Sequence, residues 1–292
     1  MWNLGTRDQI QPPSGRPREL VPVLLIWPFI LSPFFLKMDA VECGSKYECL
    51  LFDMDDTLYP LSLGLNLACR LNIQDFMKHH LQIEESQVPH MCLELYREHG
   101  TTMAGLKALG FEFDNDEFHA YVHGRLPYEN LKPDPVLRNL LLSMPQRKII
   151  FTNADRAHAA TVLGQLGLED CFEGVICFET LNPPPEIHLE DSKQKLNIVC
   201  KPSLEAMEAA IKIANIDPKK TIFFDDSARN IAAAKEAGLN TVIVGSSNLV
   251  PGADVALSSI HNIKEALPAI WEGEDQSGRV LPSPTVETVV TA

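Results

Sequence analysis

Five short apolar runs recur along the chain, at 48–52, 148–152, 174–178, 221–225 and 241–245, and each ends near acidic, hydroxyl, amide or glycine residues. Runs this brief and this uniformly apolar suit strands covered on both faces, as in a parallel sheet. Between them, 156–166, 203–215 and 227–237 carry helical patterns, the last closed by Gly238, a residue suited to the end of a helix. Strands alternating with helices imply an α/β fold: a Rossmann-like parallel sheet with right-handed crossovers. Ligands of such sheets lie beyond the carboxyl ends of the strands. The acidic pairs and Thr152-Asn153 fall at those ends.

The segment 61–124 differs, being rich in helix formers and free of strand-like runs until the Lys132-Pro-Asp-Pro135 punctuation. It reads as a helical cap inserted after the first strand, so that 47–60 and 125–270 form the α/β core and a helix over 135–143 resumes it. The stretch 181–196 is rich in proline and charge and reads as an exposed loop; 271–292 lacks periodicity and reads as a disordered tail. Residues 1–46 form an N-terminal extension, disordered or targeting. Within it the apolar run 21–36 follows Arg7, Arg16 and Arg18 but is broken by Pro28 and Pro33, and it is short for a bilayer span of about 20 residues. A membrane role is expected only if that run anchors the chain, and Met38 offers an alternative start.

A formal charge of -14 repels nucleic-acid phosphate, so no nucleic-acid partner is expected, and a small anionic substrate would need a metal ion, a lysine or backbone N–H groups to receive it. Seven scattered cysteines without a Cys-x-x-Cys pair fit neither a disulfide framework nor a zinc ribbon and point to a reducing, cytoplasmic setting.

The chemistry concentrates in four places. Asp53-Met-Asp55-Asp56-Thr57 puts two carboxylates one residue apart directly after a strand, and Asp225-Asp226 follows another. Close carboxylates repel unless a cation lies between them or one holds a proton. A hard, oxygen-ligated cation such as magnesium would serve both pairs and would take substrate phosphate as a further ligand. Thr152 and Asn153 supply a hydroxyl and an amide, and Lys201 supplies a compact positive charge for phosphoryl oxygens. Singly, an Asp-x-Asp is as readily a solvated turn or a cap, and a Thr-Asn or Lys-Pro is usually a turn; their order gives them weight.

That order of motifs resembles the haloacid dehalogenase-type phosphatases over about 47–270. The resemblance implies that Asp53 attacks phosphorus and forms an aspartyl phosphate, and that Asp55 is the general acid and base. It further implies that Thr57 positions Asp55, that Thr152 and Asn153 bind the phosphoryl group, and that Lys201 steadies nucleophile and phosphate. Magnesium would be held by Asp53, the backbone carbonyl of Asp55, Asp226 and Asp225. Asn230 stands where many members carry a further acid. The family's dehalogenases need no metal and generally lack the acid at Asp55, so Asp55 and Thr57 favour a phosphatase. Asp-Asp-Thr-Leu-Tyr-Pro60, Tyr96-Arg-Glu-His-Gly100, Leu131-Lys-Pro-Asp134 and Phe151-Thr-Asn-Ala154 look like the pyrimidine 5′-nucleotidase branch, which implies substrates such as UMP or CMP.

The competing expectations are a phosphatase or phosphomutase for a sugar phosphate or pyridoxal phosphate, and a non-catalytic binder of a phosphorylated metabolite. His119 and His123, four apart, have zinc-like spacing but read as packing residues for want of a third ligand. Arg97 and His99 read equally as substrate contacts or as a cationic helix end. Cys200 reads as a buried thiol rather than a reactive one.

Overall fold

Cys49–Phe52 (β1) is buried along its whole length, as an unbroken Cys-Leu-Leu-Phe run demands. The computed structural model describes residues 46–184 and 197–272. After β1 the chain forms α1 (Leu65–His79), α2 (Val88–His99), α3 (Thr102–Ala108) and α4 (Asn115–His123), and then α5 (Pro135–Leu142). Next come β2 (Arg147–Phe151), α6 (Arg156–Leu166), β3 (Gly174–Ile176), α7 (Phe178–Leu181) and α8 (Leu204–Ala214). The remainder is β4 (Thr221–Asp225), α9 (Ala228–Glu236), β5 (Asn240–Val244), β6 (Val255–Leu257) and α10 (Ile263–Ala266). All six strands are parallel, in the order β3-β2-β1-β4-β5-β6. The expected parallel α/β sheet is therefore present.

Successive residues of β1 feed opposite layers, as a two-residue repeat requires. Leu50 and Phe52 join a layer with Leu137 and Leu141 of α5 and Val162 and Leu166 of α6, whereas Cys49 and Leu51 join Ala206, Met207 and Ala210 of α8 and Ile231 and Ala234 of α9. Phe52 stacks on Phe224 of β4 with centroids 4.6 Å apart and planes 7° apart. Beyond its burial, such a pair contributes about 0.5–1.5 kcal/mol, and it pins the register Phe52↔Phe224 that sets Asp53 beside Asp225.

Segment 61–124 contains helical elements only. α1 to α4 enclose a separate apolar cluster of Phe76, Met77, Cys92, Leu95, Met103, Leu106, Phe118 and Val122, joined by Phe178 of α7. Two sequence expectations shift. The third strand stops at Ile176, because Phe178 begins α7 and turns into that helical cluster. β6 was not foreseen, since three residues offer too little pattern to read. The apolar run 21–36, nearly all of the extension and tail, and most of the 181–196 loop lie outside the described residues. Among those described, no helix is long and apolar enough to cross a membrane.

Candidate active site

β1 and β4 adjoin where the order of strands reverses: the chain builds outward to β3 on one side and then returns to lay β4 on the other. A crevice forms at such a point beyond the strands' carboxyl ends. The ladder continues one residue past β1, the Asp53 N–H donating to the Phe224 carbonyl at 2.8 Å. Asp56 follows at φ 60°, a left-handed conformation that aspartate tolerates and that turns the chain back over the strand end.

The Asp53 carboxylate is buried and gripped at both oxygens. Lys201 Nζ donates to Oδ1 at 2.7 Å and the Thr57 hydroxyl donates to Oδ2 at 2.8 Å. Lys201 also donates to Asp225 Oδ2 at 2.8 Å and to the Phe151 carbonyl at 2.7 Å. Burial alone would strip this ammonium of its proton, but Asp225 and then Asp53 hold its pKa above the ordinary lysine range. Thr57 therefore steadies Asp53 and not Asp55 as expected: at the start of the turn its hydroxyl lies under the strand end.

Asn153 also departs from expectation. Its Nδ2 donates to the Lys201 carbonyl at 3.0 Å and its Oδ1 accepts from the Lys201 N–H at 2.8 Å. One N–H and the oxygen of the amide thus brace the lysine loop. Thr152 is buried at the end of β2 and accepts from the Ala154 N–H at 3.0 Å, which leaves its O–H free to donate.

Asp55 has a different set of partners. Its Oδ1 meets the Tyr59 hydroxyl at 2.5 Å and His158 Nε2 at 2.7 Å. Burial pushes its pKa up, but His158 and the Tyr59 hydrogen bond outweigh this and bring it down to about 2. Neither partner was singled out in the sequence. Tyr59 lay within the Leu-Tyr-Pro motif without a role, and His158 was absorbed into a helical pattern. The legible signal was Asp155 three residues before His158: Asp155 caps α6, accepting from the N–H groups of Ala157 and His158, and fixes where the first turn points its side chains.

A divalent metal was expected at the acidic residues. Carboxylate oxygens of Asp53, Asp225 and Asp226 lie within 4.8 Å of one another, and with Lys201 as the paired cation the three are two negative charges in excess. Burial, then the charges of its neighbours, pushes the Asp226 carboxyl up; Asp53 is pushed up by burial first, against the pull of Lys201, with Asp225 and Asp55 adding to the rise. Hard oxygen donors that crowd one another and resist ionising fit a small divalent cation such as magnesium. Asp226, solvent-facing, makes no hydrogen bond or ion pair among the described residues and is free to bind it. The Asp55 carboxylate is not a member of this group. Asp225 is fully buried, holding the Ser227 N–H at 2.8 Å and Asn230 Nδ2 at 3.0 and 3.1 Å. Asn230 thus supplies a neutral donor where a further acid would add repulsion.

A cavity of about 450 Å³ opens between the core and the helical segment, lined by Asp55, Tyr59 and His158 of the core and by Asn66, Arg70 and Gln74 of α1. The last three recur every fourth residue and so share one helix face. Leu93 and Tyr96 of α2 face them. A second cavity of about 950 Å³ is lined by Thr57 and Asp226 among others. Arg97 and His99 line neither cavity. His119 is buried against Phe178, with ring centroids 4.5 Å apart, as a packing residue, whereas His123 pairs with Asp155 and lines the first cavity. Cys200 is buried and burial pushes its thiol pKa up, which disfavours the reactive thiolate.

Phosphate metabolism protein 8 of Saccharomyces cerevisiae is 26% identical to this chain over 201 residues, which cover 66% of the chain and 60% of that protein. Glyceraldehyde 3-phosphate phosphatase of Pyrococcus furiosus is 24% identical over 211 residues, 68% of this chain and 80% of its own length. The solved HAD phosphatase of Thermococcus onnurineus superposes with a TM-score of 0.50 at 17% identity, covering 78% of this chain and 99% of its own, a likeness of fold alone. The model of the haloacid dehalogenase-like hydrolases matches residues 47–238, the span that carries β1, β4 and every residue placed at their ends. The chain belongs to the haloacid dehalogenase-like hydrolase family.

Proposed function

We propose that the protein is a magnesium-dependent phosphatase that hydrolyses a small phosphomonoester, a pyrimidine nucleoside 5′-monophosphate, through an aspartyl phosphate on Asp53. The observation that carries this reading is the separation of two carboxylates into two roles by their partners. Lys201 and Thr57 fix Asp53 at the strand end, whereas His158 and Tyr59 fix Asp55 in the cavity wall. The first is poised to attack and the second to carry a proton.

Lys201 and the Thr152 hydroxyl would receive the phosphoryl oxygens, with Asn153 holding the lysine loop. Asp53, Asp225 and Asp226 with the Asp55 carbonyl would hold magnesium. When bound, the ion offsets repulsion between phosphate and carboxylates and polarises the phosphoryl oxygens. A bound phosphoryl dianion beside Asp55 raises its proton affinity from the low value of the free protein, which equips it as an acid for the leaving oxygen. The helical segment 61–124 would act as a cap over the site. The nucleotide assignment draws on the branch motifs and on the cavity, whose volume suits a nucleoside and whose α1 wall offers Arg70 and Gln74 to a polar base. Among the described residues the cysteines are unpaired and all but Cys69 are buried, which agrees with work in a reducing, cytoplasmic setting.

Phosphate release from UMP, CMP, purine nucleotides, glyceraldehyde 3-phosphate, sugar phosphates and pyridoxal phosphate, with magnesium and with EDTA, tests the reading. Magnesium-dependent release that favours pyrimidine nucleotides is expected. Preference for another ester would overturn the nucleotide assignment, and no release from any would overturn the phosphatase.

A further inference from the structure

Both donors to Asp55 fall on the same oxygen. Tyr59 OH and His158 Nε2 converge on Oδ1 at 2.5 and 2.7 Å, and Oδ2 makes no hydrogen bond among the described residues. The histidine is itself held on every side. Its Nδ1 meets the Tyr128 hydroxyl at 2.7 Å, its backbone N–H donates to Asp155, and the His123 ring lies with its centroid 4.5 Å away. His123 in turn pairs with Asp155. His158 is only 3% exposed, so little of its ring is open to solvent.

We propose that His158 is a positioning residue for Asp55: with Tyr59 it fixes Oδ1 and so assigns proton transfer to Oδ2. The inference rests on the phosphatase reading. As an oxygen of Asp53 bonds to phosphorus and the ester P–O bond breaks, the proton on Asp55 Oδ2 passes to the leaving oxygen. As water then bonds to phosphorus and the P–O bond to Asp53 breaks, Oδ2 takes the water's proton and the cycle closes. Oδ1 remains an acceptor throughout, because it is the carbonyl oxygen of the acid and one of the two oxygens of the carboxylate. Nε2–H remains a donor whether the imidazole is neutral, with Nδ1 accepting from Tyr128, or charged, with Nδ1 donating to it. The same two hydrogen bonds therefore serve both halves of the reaction, and no side chain has to turn between them. Because His123 belongs to α4 and lines the cavity, the helical segment packs directly on the group that aims the acid.

The test compares two esters under single-turnover conditions: the alkyl phosphomonoester that the wild type cleaves fastest, which needs a proton on its leaving oxygen, and p-nitrophenyl phosphate, which does not. His158→Ala is expected to slow transfer from the alkyl ester by about 10- to 100-fold and from p-nitrophenyl phosphate by less than about 3-fold, with KM little changed for either. His158→Gln, which returns an N–H near the place of Nε2, should recover most of the loss. Tyr59→Phe should show the same selectivity, and these two variants carry the test if His158→Ala does not fold. Equal losses on both esters, no loss on the alkyl ester, or a glutamine variant as slow as alanine would overturn the proposal. A wild type that releases phosphate from neither ester would instead overturn the phosphatase reading, and this inference with it.

Discussion

Lys201 sits among three oxygens with 1% of its surface exposed, so its ammonium cannot be removed without stranding the Asp53 and Asp225 carboxylates in the protein interior. Breaking a buried pair of this kind costs about 3–5 kcal/mol. Lys201→Ala should consequently lower thermal stability as well as phosphate release, and a loss of activity in that variant alone would not separate chemistry from folding. His119 gives a stability effect of opposite origin. Burial, reinforced by the charge of His123, lowers its pKa from 6.5 to about 4. A histidine whose folded pKa lies below its unfolded one binds a proton more readily when unfolded, so its contribution is complete above pH 6.5 and is lost as pH falls towards 4. Urea unfolding at pH 7 and pH 4.5 should show the wild type losing about 2–3 kcal/mol more than His119→Leu; equal losses would contradict this. At this scale the sequence disclosed the acidic residues and Lys201, because strand ends and turn residues announce themselves locally. It did not disclose that Thr57 serves Asp53, that Asn153 serves the Lys201 loop, or that His158 serves Asp55. Each of those facts depends on which of several neighbouring groups a side chain reaches once strands and helices are docked.

The α2–α3 turn is the element through which the helical segment touches the lysine loop. Gly100 ends α2 at φ 87°, and a Cβ there would lie 2.5 Å from the Lys201 carbonyl oxygen and 2.8 Å from Pro202 Cδ. Gly110 has nearly the same φ, 88°, with nothing within 4 Å of a Cβ. Both Gly→Ala variants should lose about 1–3 kcal/mol of stability from the left-handed backbone. Only Gly100→Ala should also lose about tenfold in kcat, because the displaced loop carries Lys201. Similar kcat values in the two folded variants would contradict the contact. Arg229 of α9 ties the same helix down, donating to the Tyr96 and Arg97 carbonyls at 3.1 and 2.8 Å with its guanidinium 4.4 Å from the Tyr96 ring. Among the elements, α6, α8 and α9 were legible because Asp155, Ser203 and Ser227 cap their starts and turn-forming residues follow their ends. Within 61–124 the sequence marked the end of α2 at His99, beside Gly100, but not the bounds of the other helices, whose periodicities run on with few turn residues between them.

Across the whole molecule, the reversal of strand order brings Asp53 and Asp225, 172 residues apart in sequence, into adjacent register. The sequence could suggest that the two acidic pairs meet, but the sheet order and its Phe52–Phe224 contact decide it. The resulting excess of negative charge predicts that magnesium stabilises the folded protein. Thermal unfolding should rise by roughly 5 °C at saturating magnesium relative to EDTA, and Asp226→Asn should abolish the rise; a wild type indifferent to the ion would contradict the proposed site. The central claim is that Asp53 carries the phosphoryl group, and phosphate release by Asp53→Asn tests it most directly. The substitution keeps the side chain's size while removing its nucleophilic charge. With the wild type's best substrate and magnesium present, the folded variant should release phosphate at least about 1,000-fold more slowly; hydrolysis that survives at a rate near the wild type's would contradict the account.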